Sequence, residues 1–79
     1  MKIKIQNTII DLAKVETIET SNPDFSNGVS IGPRTPYCIN FYSYGHKTSV
    51  EYDNNLQRDI DFEKVINLFE KTHKNITTI

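Results

Sequence analysis

The stretch YCINFYSYGHKTSVEYD, residues 37 to 53, decides the fold, because it holds all four tyrosines, the single cysteine and one of the two histidines of the chain. Two runs rich in aromatic and β-branched residues flank Gly45, the mark of two strands joined by a tight turn. With Gly45 and His46 as the central pair of a type II′ turn, glycine supplies the positive φ that the first position requires. Phe41 then faces Val50, Ile39 faces Tyr52, and Tyr44 faces Lys47. In that register Tyr37, Ile39, Phe41, Val50 and Tyr52 share one face. The other face carries Cys38, Asn40, Tyr42, Tyr44, Lys47, Ser49, Glu51 and Asp53. A slip of one residue would mix the two sets, so the apolar pattern specifies which face is buried.

Downstream the period changes from two to that of a helix. Phe62, Val65, Ile66, Phe69 and His73 fall on one stripe, which an amphipathic helix would bury against the apolar face of the hairpin. Asp61 is placed as its N-cap, with Ile60 and Val65 as a hydrophobic staple. Lys71 and Lys74 suit its negative end, Glu70 and Lys74 pair four residues apart, and Asn75 can close it before the tail ITTI.

Upstream, KIKIQ alternates apolar and polar residues as a half-buried strand does. TIIDL and VETIE read as two further short strands, with the bend between them at Ala13 and Lys14, so this half reads as a meander. From Ser21 to Pro36 the sequence SNPDFSNGVSIGPRTP is dominated by turn formers and reads as a loop, in which Asn27 and Gly28 could close a short hairpin. The expected architecture is α+β: an antiparallel β-meander of four to six strands, packed on one face by a single C-terminal α-helix.

Seventy-nine residues, here 1–79, make one small globular domain of modest stability. Hydrophobic residues at 37% and charged residues at 24% are too apolar and too weakly charged for a disordered segment. The net charge of −1 is spread evenly, with four basic and four acidic side chains in residues 1 to 40, so neither half is a basic arm. A single cysteine forms no internal disulfide, and a secreted domain this small usually needs one, which points to a cytoplasmic location. MKIKIQNTIIDL is interrupted by Lys4, Gln6, Asn7 and Asp11, so it reads as neither a signal core nor a membrane span. Eleven isoleucines and eight asparagines suggest an AT-rich source.

Catalysis would need a nucleophile with a base in reach, which leaves Cys38 or a serine with His46 or His73. The strand register sets Cys38 and His46 roughly 20 Å apart, and Cys38 faces away from the helix that carries His73. The sequence therefore reads as non-enzymatic. Two histidines and one cysteine without close spacing build no tetrahedral metal site, and DIDFE lacks the glycine and the terminal glutamate of a calcium loop. No cofactor motif is present. Stacking of nucleic acid on Tyr42 and Tyr44 would need a positive groove, whereas Glu51 and Asp53 lie nearby, which argues against that partner.

What remains is a protein-interaction module, such as a small inhibitor or accessory protein of bacterial or phage type. Tyrosines standing in a polar surround bring large contact area at low entropic cost, so the partner-binding surface is read as Tyr42 and Tyr44 with Asn40, Lys47, Ser49 and Glu51. The partner is a protein, which includes a second copy in a homodimer. The alternative is a binder of a small anionic ligand, phosphate or nucleotide, through the 26–35 loop. Ser26, Gly28, Gly32, Arg34 and Thr35 there are the residue types of an anion nest.

Overall fold

The computed structural model describes residues 1–23, 36–74 and 76–77. In these, strands β1 (Lys2–Ile5) and β2 (Thr8–Asp11) lead through a short 3-10 turn at Leu12–Lys14 to β3 (Thr17–Ser21). β4 (Tyr37–Ser43) and β5 (His46–Tyr52) follow, and α1 (Asn55–Thr72) closes the order. The class is α+β, with antiparallel sheets and one C-terminal helix packed on them. The five strands form two sheets rather than one meander: β1 with β2, and β3-β4-β5 in that order, so the larger sheet is smaller than expected. The break lies at the 3-10 turn, where the Asp11 carboxylate accepts from Ala13 N–H at 3.1 Å and turns the chain out of its ladder.

The hairpin has the expected faces but a different turn. Ser43 pairs with His46, Phe41 with Thr48 and Ile39 with Val50, so Tyr44 and Gly45, not Gly45 and His46, are the central pair. Both have positive φ, +50° and +82°, as a type I′ turn requires. A tyrosine seldom adopts that conformation, and two bonds hold it here. Tyr44 N–H donates to a Glu16 carboxylate oxygen at 2.9 Å, and the Ser43 hydroxyl donates to the Lys14 carbonyl at 2.7 Å. Because the register differs by two residues, each side chain keeps its face.

Ile39, Phe41, Val50 and Tyr52 are buried on the inner face and join Ile5, Ile10, Leu12, Val15 and Val65 in one core, with Ile3, Ile18, Phe62, Leu68 and Phe69 packed against it. Both sheets thus share a single core beneath the helix. Gln6, at a positive φ of +53° in the β1–β2 turn, also ties them together, its Nε2 donating to the Glu51 carbonyl at 2.8 Å.

The helix starts six residues before the expected cap. Asn54 is the N-cap, its side chain accepting from Gln57 N–H at 2.9 Å. Asp61 instead lies inside the helix, where it accepts from the Tyr52 hydroxyl and from Gln57 Nε2, each at 2.9 Å. Ile60 is half exposed and forms no staple. The helix closes with His73 as its cap, the backbone N–H donating to the Phe69 carbonyl at 2.8 Å. Asn75, the Asn27-Gly28 hairpin and the anion loop with Ser26, Gly28, Gly32, Arg34 and Thr35 lie outside the described residues.

Burial raises the pKa of the Tyr52 phenol far above its ordinary value, and its hydrogen bond to Asp61 and the charge of Asp61 add to that. A group whose pKa is raised by folding lends stability in full below its unfolded value, near 10, and loses it as pH climbs toward the folded value. The melting temperature should therefore fall between about pH 9.5 and 11, and fall less steeply in Tyr52→Phe; equal slopes for both proteins would count against this pair.

Candidate interaction surface

β4 is the central strand of its sheet, so its outward residues have neighbours on both sides. Asn40 lies between Glu19 and Ser49 and is only 2% exposed. Its amide donates to the Ser21 hydroxyl at 3.2 Å and accepts from the Ser49 hydroxyl at 2.7 Å. Burial at the sheet centre, with both polar ends satisfied, removes Asn40 from any contact surface. Cys38 is buried beside it, with Sγ 3.5 Å from the Pro36 carbonyl.

Tyr42 is half buried, its hydroxyl donating to the Glu19 carboxylate and its ring lying 6.0 Å from Lys47 Nζ. That hydrogen bond, with partial burial and the Glu19 charge, holds the phenol above its ordinary value. Lys47, Ser49 and Glu51 are exposed along β5, and Tyr44 is the most open aromatic among the described residues, 73% exposed at the hairpin tip. The structure thus keeps Tyr42, Tyr44, Lys47, Ser49 and Glu51 of the expected surface on or near solvent. It does not make one flat patch of them: Tyr44 stands at the turn, and the others run down the outer face.

Tyr44 instead borders a cleft of about 520 Å³ between the hairpin tip, the 3-10 turn and the end of α1, which Lys14, Glu16, Phe69 and His73 also line. His73 stacks its ring against Phe69 at 4.4 Å between centroids. Its Nε2 sits 2.8 Å from the Leu12 carbonyl, and since a carbonyl only accepts, Nε2 is the donor. A second cleft, of about 730 Å³, lies at the other end of β5 and includes Glu51, Asp53 and Asp61. Among the described residues, no group of three His, Cys, Asp or Glu side chains is placed to hold a metal ion, and no helix is long and apolar enough to cross a membrane.

Sequence reasoning missed Arg58. It is only 6% exposed, on the inward stripe of the first helical turns. Its Nη1 donates to the Ser21 carbonyl at 2.8 Å and to Asn22 Oδ1, its Nη2 pairs with Asp59 at 2.8 Å, and its guanidinium lies 5.5 Å from the Tyr37 ring centroid. This arginine pins the end of β3 to the helix and is structural. The one available signal was spacing, because Arg58, Phe62, Val65 and Phe69 recur at helical intervals.

Comparison of the chain with known protein families, curated proteins and solved structures finds no match.

Proposed function

We propose that this protein is a non-enzymatic interaction module, an inhibitor or accessory protein acting in the cytoplasm, that grips a partner protein with the tip of the β4–β5 hairpin. The observation that supports this reading is Tyr44 itself. A type I′ turn is most stable with asparagine or glycine at the position it occupies, and a non-glycine residue at positive φ costs about 1 kcal/mol or more. The chain places a large aromatic there all the same, 73% exposed and beside an open cleft. Strain of this kind at an exposed aromatic supports a contact role, since tyrosine offers a wide apolar ring and a hydrogen-bonding end. Tyr42 and Lys47 behind it extend the contact onto the outer face.

Tyr44→Asn separates folding from binding. The substitution relieves the turn, so it should raise stability by about 0.5 to 1 kcal/mol in a urea melt while removing partner capture from a lysate of the source. A variant that is stabilised yet captures the same partner as well as before would sink this reading.

A further inference from the structure

We propose that two copies of this chain join through β5, edge to edge and antiparallel, so that their three-stranded sheets become one continuous sheet. This assembly uses the side of β5 rather than the hairpin tip, so it goes beyond the proposed function and stands or falls separately.

β5 is the outer strand of its sheet, and no strand among the described residues pairs with its far edge. Which backbone groups face that edge follows from two bonds. The Tyr42 carbonyl points toward β3, where it accepts from Glu16 N–H at 2.8 Å, so Tyr42 and Lys47 form a pair without mutual hydrogen bonds. The Glu51 carbonyl points outward, where Gln6 meets it. Lys47, Ser49 and Glu51 therefore direct their N–H and C=O groups away from β4. Seven residues long, His46–Tyr52 has Ser49 at its centre. Full antiparallel overlap of two such strands sets Ser49 against Ser49 of the second copy and Lys47 against Glu51. Three narrow pairs then exchange main-chain hydrogen bonds.

Charge decides why a second copy is the occupant. Sheet edges are commonly protected by like charges that repel a matching strand. Here the charges are opposite and symmetric about the centre, so self-pairing brings Lys47 onto Glu51 twice and creates no like-charge pair. Shifting the strands by two residues loses the Lys47–Glu51 match. Lys47, Ser49 and Glu51 are all exposed, so no core residue has to move. Among the described residues the one competitor is Gln6, whose Nε2 occupies the Glu51 carbonyl that Lys47 N–H of the second copy would take. Closing the sheet replaces that side-chain bond with a main-chain one. The two-fold axis stands perpendicular to the sheet, so both helices lie on one face and the two Tyr44 tips at opposite ends.

Sedimentation velocity at protein concentrations up to about 1 mM tests this with charge-reversed variants. The unaltered chain should form dimers. Lys47→Glu and Glu51→Lys should each sediment as monomers with unchanged circular dichroism, because each sets like charges together. An equal mixture of the two should dimerise again, since every cross-strand pair in the mixed species is opposite in charge. Ser49→Pro removes an outward N–H that β4 does not use, together with the hydroxyl that donates to Asn40 at 2.7 Å, so it should be a less stable monomer whose circular dichroism shows it still folded. A monomeric unaltered chain, a mixture that stays monomeric, or a dimer that survives Ser49→Pro would each overturn the proposal.

Discussion

Phe41→Ala should lower the midpoint of a urea melt followed by circular dichroism more than any other substitution proposed here. Phe41 is 2% exposed in the central strand, flanked by Ile18 on β3 and Thr48 on β5, and belongs to the core shared by both sheets and the helix. Truncating a buried phenylalanine costs about 3 to 5 kcal/mol, through lost burial and the cavity left behind. A chain of this length has a total stability of about 4 to 12 kcal/mol, so the loss is a large share of it. Tyr42→Ser, one residue away on the opposite face, loses a half-buried ring and one exposed hydrogen bond and should cost far less. If Tyr42→Ser proved the more damaging of the two, the face assignment of the hairpin would be wrong. Phe69→Ala should fall between them, because Phe69 is only partly buried at the rim of the core.

Arg58→Ala should be the most costly change to a charged residue, about 2 to 3 kcal/mol. The substitution removes the donor for the Ser21 carbonyl and for Asn22 Oδ1 and withdraws the guanidinium from the Tyr37 ring. Acceptors left without a donor lose more than a net hydrogen bond is worth. Arg58→Lys should recover only part of the loss, since an ammonium cannot reach the carbonyl, the amide and Asp59 from one planar fork. The contrast with Arg58→Lys separates this from a simple charge effect: equal stability of the lysine variant and the unaltered chain would mean that geometry plays no part.

Period-two alternation made the faces of the β4–β5 hairpin legible, because Ile39, Phe41, Val50 and Tyr52 can satisfy only one side. The turn was not legible. Glycine as the first central residue of a II′ turn is the sound choice from local preference, and tyrosine at positive φ is a poor one. What tips the balance is Glu16, distant in sequence, whose carboxylate takes the Tyr44 N–H. The early start of α1 was hidden for a related reason. Leu56 and Ile60, the apolar residues of its first turns, face solvent at 72% and 50% exposure, while the inward position belongs to Arg58. Periodicity counts apolar residues, so a buried charge reads as a break in the stripe. Asn40 was misplaced because an outward position on a strand reads as solvent-facing, and only the three-stranded order shows that β4 has a neighbour on each side. Of the site, the exposure of Tyr44 was foreseen and its strain was not.

The most direct test of the hairpin tip as the contact surface is site-specific photo-cross-linking. A benzophenone amino acid in place of Tyr44 should yield a covalent adduct with the captured partner on irradiation. The same group in place of Glu63, exposed on α1, should yield none. An adduct from position 63 with none from position 44 would contradict the account.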